Sequence, residues 1–226
     1  EETQQKIYEV SAGAGFRVDD ILVEGRDNVD KDVLKAILNV QKGDPIFSFE
    51  PHAAKKMIER LSWVETAHVE RRLPDTVYIG LIEREPAALW QHGKDVKLVD
   101  LDGRVLTDNL TPEFLDFILV VGEQAHKNFK PLFMQLEGVP DLREKIDAAS
   151  YVSERRWNLT LKSGIIVILP ESGVDTALER LMRAEETDEI IDKNVVSIDL
   201  RMEDRIIVKP KHGAVMNYKN RRKRED

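Results

Sequence analysis

Trp63-Val64-Glu65-Thr66-Ala67-His68-Val69-Glu70-Arg71-Arg72-Leu73-Pro74-Asp75-Thr76-Val77-Tyr78-Ile79-Gly80-Leu81-Ile82-Glu83 is the stretch on which the first half of the chain turns. In Thr76–Glu83, Val77, Ile79 and Leu81 fall on one face and their neighbours on the other, the period-two pattern of a strand with one buried side. Trp63–Arg71 reads as a second strand, and Leu73-Pro74-Asp75 between them is turn chemistry.

Working back toward the start, Ala54, Met57, Ile58 and Leu61 are spaced i, i+3, i+4, i+7, the mark of a helix with one core face, and Pro51 suits its first turn. Lys42-Gly43-Asp44-Pro45 is a loop. Val33, Leu34, Ile37 and Leu38 make the apolar stripe of a helix over Lys31–Leu38. Asn28 or Asp30 can cap it by accepting the orphan N–H groups of the first turn. Phe16–Glu24 is a strand closed by Gly25. Glu1–Gly15 is polar and then small, a flexible lead-in. The order is β-α-α-β-β: a small α+β unit with a three-stranded sheet and two helices on one face.

Beyond Pro86 the pattern changes to mostly strand. Ala87–Trp90, Val96–Val99 and Arg104–Leu106 are short strands with turns at Gly93-Lys94-Asp95 and Asp100-Leu101-Asp102-Gly103. Phe114–Val121 is a further strand candidate. Ala125, Phe129, Leu132, Phe133 and Leu136 mark a helix. Ala148–Trp157, Asn158–Leu161 and Ile165–Leu169 are strand-like. Asp175 can cap a helix whose Leu178, Leu181 and Met182 face inward.

The chain closes with a ribbon over Val195–Pro210. Val196, Ile198, Leu200 and Met202 fall on one face, with Ser197, Asp199 and Arg201 on the other. Glu203-Asp204 is a tight turn, and Arg205–Lys209 returns as a β-branched strand. Pro210 cannot donate to a ladder, so the sheet should end there. A short terminal strand of this kind tends to lie at an edge. Such an edge is either blunted by charge or met by a partner strand.

The 226 residues carry 42% hydrophobic and 34% charged side chains, enough for real cores under a well-solvated surface. The net charge of −8 excludes a general nucleic-acid binder. Lys209, Lys211, Lys219, Arg221, Arg222, Lys223 and Arg224 crowd positive charge at the end, and the stretch from His212 onward reads as a disordered basic tail. The absence of cysteine excludes thiol catalysis, disulfides and cysteine zinc sites. No apolar run reaches the ~18 residues that a spanning helix needs. The chain starts at Glu1 rather than at a methionine, so it is read as a fragment, with anything upstream, a membrane anchor included, out of view.

Four stretches together resemble the FtsQ/DivIB family of bacterial cell division proteins. Phe16–Gly25 is similar to the opening strand of a POTRA domain. Trp63-Val64 with Leu73-Pro74-Asp75-Thr76-Val77 resembles its strand pair. Glu83–Trp90, followed by Leu98-Val99-Asp100-x-x-Gly103, resembles the crossing into the family's β domain. Arg155–Leu161 with Ile198-Asp199-Leu200-Arg201 resembles two late strand motifs. The resemblance implies an α+β chain: a lead-in over 1–15, a POTRA domain over 16–84, a mainly antiparallel β domain with flanking helices over 85–210, and the basic tail over 211–226. It implies no enzymatic activity and no cofactor. It also implies a single-pass inner-membrane protein at the septum whose periplasmic region is a scaffold. The partners implied are FtsB with FtsL, docked along the closing edge by an added strand and a nearby helix, with other divisome proteins meeting the POTRA domain. The partner-binding residues it implies are Arg156, Arg201, Met202, Glu203, Asp204, Arg205, Ile206, Ile207 and Val208. Arg156 stands near a basic residue that pairs with an acidic residue of the partner helix. Met202 replaces a frequent aromatic, Arg205 and Ile206 replace small residues, and Pro210 stands where a tryptophan can occur.

Two other readings are weighed against this one. A POTRA chaperone of an outer-membrane assembly or secretion system usually carries several repeats before a barrel, whereas one β-α-α-β-β unit is found here. A glycan-cleaving enzyme needs paired carboxylates, but Asp100 and Asp102 lie in a turn and Glu185 and Glu186 late in a helix. His52, His68, His92, His126 and His212 show no metal-ligand spacing.

Overall fold

The computed structural model describes Tyr8, residues 10–191 and residues 194–211. The chain divides into two compact units, one made mainly of residues up to Pro86 and the other mainly of residues from Ala87 onward.

The first unit is built from β1 (Asp20–Glu24), α1 (Lys31–Leu38), α2 (Pro51–Ile58), β2 (Val64–Arg72) and β3 (Thr76–Glu83). Its sheet has the order β1-β3-β2, with β1 parallel and β2 antiparallel to β3. Val77, Ile79 and Leu81 are buried, as their alternation requires. They meet Leu34 and Leu38 of α1 and Ala54 and Ile58 of α2 in one core. Burying each larger aliphatic side chain contributes about 1.5–3 kcal/mol. Asp30 caps α1, accepting the N–H groups of Asp32 and Val33. Val33 and Met57 stay exposed, because each lies off the centre of its helix's inward face.

Two expectations are corrected here. The first strand starts only at Asp20. Phe16 and Val18 bond instead to the following loop, with the Val18 N–H donating to Asp44 O at 2.9 Å and the Ile46 N–H to Phe16 O at 3.1 Å. The end of the lead-in is ordered rather than featureless: residues 10–13 are helical, Ala12 is buried, and its carbonyl accepts from Arg17 Nε at 3.0 Å.

A nine-stranded sheet has the order β12-β11-β10-β9-β8-β7-β4-β5-β6, and all of it but Pro86 and Val105–Thr107 belongs to the second unit. Its strands are β4 (Pro86–His92), β5 (Asp95–Asp100), β6 (Val105–Thr107), β7 (Leu119–Val121), β8 (Ile146–Val152), β9 (Arg156–Leu161), β10 (Ile166–Ile168), β11 (Val195–Asp199) and β12 (Ile207–Pro210). Helices α3 (Ala125–Glu137), α4 (Pro140–Arg143) and α5 (Val174–Asp188) lie between strands in the chain. The sheet is mixed. β8–β9, β9–β10 and β11–β12 are antiparallel, whereas β4–β7, β7–β8 and β10–β11 are parallel. The last two parallel pairs follow from helical crossovers, α3 with α4 and α5 respectively, which antiparallel hairpins do not need.

Register puts Val120, Ala149, Leu159, Val167 and Ile198 in one row across five strands, all fully buried. Phe129, Leu132 and Leu136 of α3 and Leu178 and Leu181 of α5 are buried as well. The alternate row, Ser150, Asn158, Ile168, Asp199 and Ile207, is half-exposed or exposed.

The strand expected over Phe114–Val121 shrinks to Leu119–Val121. Pro112–Phe114 is a 3₁₀ turn and Leu115 is exposed, so the apolar run changes conformation around Asp116. Ala148–Trp157 is cut by a turn in which Ser153 and Glu154 both take positive φ. Helix α5 starts after Gly173, with Asp175 in its first turn rather than at its cap.

Candidate functional site

The closing ribbon differs from simple alternation at both ends. Val195 pairs with Pro210 and Ser197 with Lys209, so Val196 is an extra residue, a β-bulge. The bulge shifts the phase. Val195, Ile198 and Leu200 are buried, whereas Val196 is 38% exposed. Strand pairing stops at Asp199↔Ile207. Residues 201–206 form an irregular connection, so neither a Glu203-Asp204 tight turn nor a strand from Arg205 is present. β12 runs from Ile207 to Pro210.

Among the described residues β12 is the last strand of its sheet and pairs on one side only. The facing of its backbone follows from one bond: the Lys211 N–H donates to Asn194 O at 2.9 Å, inward along the line of β11. Backbone groups alternate sides along a strand. Lys209 and Ile207 therefore also face β11, while Val208 and Pro210 face outward. The outer rim offers the N–H and C=O of Val208 and the C=O of Pro210. Proline at the outward position costs no ladder bond.

Asp199, the last residue of β11, organises the charges beside this rim. Arg201 donates to it from Nε at 3.0 Å and Nη2 at 2.6 Å, and the Arg201 N–H caps the same carboxylate at 3.0 Å. The Arg201 hydrogen bonds hold the Asp199 carboxyl below its ordinary pKa against burial, and the Arg156 charge adds to this. Arg156 opens β9 on the half-exposed face, and its Nε is buried without a partner among the described residues. Arg156 and Arg201 thus come together around Asp199. Met202 is 47% exposed and Ile207 48% exposed. Glu203 is exposed, and Asp204 and Arg205 pair with each other at 2.8 Å on the surface. Ile206 and Val208 are half-buried. Asp199 itself was missing from the expected site. Its place at the end of the alternating stretch, two residues before an arginine, is the signal that could have found it.

A helix neighbour was also missed. Arg180 of α5 donates from Nη1 to Met202 O at 2.8 Å and to Glu203 O, and from Nη2 to Leu200 O at 3.0 Å. Nothing in the local pattern of α5 marks it, because the acceptors are backbone groups 20 or more residues away.

No His, Asp and Glu side chains gather in threes as a metal cage among the described residues. None of the described helices is long and apolar enough to cross a membrane.

The family model for the C-terminal region of cell division protein FtsQ/DivIB matches residues 88–201, and the FtsQ-type POTRA domain model matches residues 16–84. The chain belongs to the FtsQ/DivIB family. It is 36% identical over 195 residues to the cell division protein FtsQ of Rickettsia prowazekii (strain Madrid E), covering 86% of this chain and 73% of that protein. It is 30% identical over 213 residues to the FtsQ of Rhizobium meliloti (strain 1021), covering 94% of this chain and 69% of that protein. A solved structure of the major extracytoplasmic domain of DivIB from Geobacillus stearothermophilus aligns with 48% of this chain and 96% of that one, at 16% identity and a TM-score of 0.34.

The POTRA match and the β-α-α-β-β unit coincide, and the FtsQ/DivIB C-terminal match runs from β4 to the end of β11, through most of the mixed sheet. That match ends at Arg201, so the rest of the connection and β12 lie beyond it. The motif Leu98-Val99-Asp100-x-x-Gly103 gains a structural reason in this FtsQ-family chain. The buried Asp100 carboxylate accepts the N–H groups of Asp102 at 3.0 Å and Arg104 at 2.7 Å, which closes the turn after β5. The basic stretch from His212 onward lies outside the described residues.

Proposed function

We propose that this chain is a non-enzymatic scaffold of the division machinery. It docks FtsB, accompanied by FtsL, by strand addition to the outer side of β12, and so links early and late division proteins. The observation that carries the reading is the end position of β12, with Val208 turned outward and no described strand beside it. Main-chain hydrogen bonds give a ladder tolerant of sequence, each netting about 1 kcal/mol. Selectivity then comes from side chains beside the rim: Met202, Ile206, Ile207 and Val208 as apolar contacts, and Arg156 and Arg201 as positive ones. The surface residues Glu203, Asp204 and Arg205 shape the connection ahead of the rim.

The POTRA unit sits nearer the membrane in this reading and recruits upstream divisome proteins. The full protein is held in the inner membrane by one helix ahead of this region, which lies in the periplasm at the septum. Family membership favours this account over a POTRA chaperone of an assembly or secretion system.

Photo-crosslinkers placed at Met202, Ile207 and Lys209 in living cells test the proposal, with Glu70 of the POTRA unit as the control position. Capture of FtsB from the three rim positions and not from Glu70 is the expected result. Absence of FtsB at all three overturns it.

A further inference from the structure

We propose that Arg180 is a positioning residue of the docking rim, an inference that rests on the docking reading above. Its guanidinium gathers the carbonyls of Leu200, Met202 and Glu203 from a site on α5, and so fixes where β12 begins.

The connection between β11 and β12 is long enough to pair in more than one way. A strand pair without a tight turn has weakly specified register, and a shift by one residue exchanges its inward and outward groups. Here that exchange would turn the Val208 N–H toward β11 and bring Pro210, which has none, into a ladder position. Something must therefore hold the connection. The side chains of residues 203–205 do not do so. Glu203 is exposed, and Asp204 and Arg205 are paired with each other at the surface. The carbonyls are held instead. An arginine fork offers donors in a fixed plane and can serve several acceptors at once, which a lysine ammonium on a flexible stem does less well. Held in this way the chain stays bent over residues 202–204, which keeps pairing from extending beyond Asp199↔Ile207.

Helix α5 is itself fixed by Val174, Ala177, Leu178 and Leu181, all buried. The anchor point of the connection is thus rigid, and Arg180 passes that rigidity to a segment with few packed side chains of its own. The Arg201–Asp199 pair completes the clamp from the β11 side.

Arg180→Met keeps an unbranched stem that can pack but removes every donor, and Arg180→Lys keeps the charge and part of the donor set. Amide hydrogen exchange is read at Ile207 and Lys209 without partner, and the C-terminal segment of the cognate FtsB is titrated against each protein. Arg180→Met should exchange faster at both amides and bind the segment on the order of tenfold more weakly. Its melting temperature should stay close to that of the parent chain, and Arg180→Lys should fall between. Unchanged exchange, or faster exchange with unchanged affinity, overturns the proposal. If the parent chain takes up no segment, the docking reading falls, and the exchange arm alone still decides whether Arg180 sets the start of β12.

Discussion

Lys211 donates its backbone N–H to the carbonyl of Asn194 at 2.9 Å, and this bond fixes which residues of the terminal strand look inward. Ile207 and Lys209 share the inward side, and Val208 and Pro210 the outward side. Proline substitution separates the two sides. Val208→Pro removes an outward N–H and should leave melting within a few degrees of the parent chain while abolishing uptake of a partner strand. Ile207→Pro removes an inward ladder donor and should cost about 1–3 kcal/mol of stability. Calorimetric titration beside thermal melts distinguishes them; loss of stability in both variants alike would show that the facing is misassigned.

In the POTRA unit, Glu83 at the end of β3 holds the loop before α1. Its carboxylate accepts the N–H groups of Asp27 at 3.0 Å, Asn28 at 2.7 Å and Val29 at 2.9 Å, together with Asn28 Nδ2 at 3.0 Å. Burial raises its pKa, but these donors more than offset burial and hold it below the ordinary glutamate value. A depressed carboxyl stabilises the fold above its unfolded pKa of about 4.3, and that contribution is lost as pH falls through the folded value. Glu83→Gln should therefore destabilise the chain at neutral pH by about 1–2 kcal/mol, since the donors lose a charged acceptor in a partly solvated setting. Urea melts at neutral and acid pH check this: the gap between variant and parent should close in acid.

Gly25 ends β1 at φ +70°, and a Cβ there would stand 2.1 Å from the Leu81 carbonyl oxygen. Gly43 also has positive φ, at +97°, but a Cβ there would meet nothing within 4 Å. Gly43→Ala should cost only backbone strain, about 1–2 kcal/mol. Gly25→Ala adds a clash with fixed backbone and should cost more, about 3 kcal/mol or above. Chemical denaturation of both variants tests the order, and equal losses would contradict it.

These local relations explain what could be read ahead of the structure and what could not. The POTRA elements were legible because each carries its own signal: Asp30 as a cap, Leu34 and Leu38 as a stripe, Val77, Ile79 and Leu81 as an alternation. The end of the edge strand at Pro210 was legible, but not for the reason read: its missing N–H lies on the outward side, and bonding to the line of β11 continues at Lys211. The bulge at Val196 was not legible, because one extra residue leaves composition unchanged while inverting the faces ahead of it. The parallel pairs of the second sheet were hidden for a similar reason. Parallel order depends on where a crossover helix returns the chain, and Ile166–Ile168 reads the same beside either kind of neighbour. Arg180 was hidden because its partners are carbonyls, which every residue has.

His126 carries the last prediction. It lies in the first turn of α3 with its side chain buried, its ring 3.7 Å from that of Trp90, and its Nδ1 without a partner among the described residues. Burial pushes its pKa below the ordinary histidine value, and the charges of Lys127 and His92 push the same way. The start of a helix opposes a positive charge as well. In the unfolded chain the same histidine titrates at about 6.5. Between that value and the lower folded one, the unfolded state binds a proton that the native state refuses, so stability falls as pH drops through this window and levels off below it. His126→Gln cannot take up the charge, while every other titrating group is common to both proteins. Urea midpoints followed from about pH 8 to about pH 5, a range that spans the unfolded histidine value, should therefore fall more steeply for the parent chain than for the variant. Parallel curves would mean that His126 reaches solvent and charges without cost, and that the contact with Trp90 opens readily.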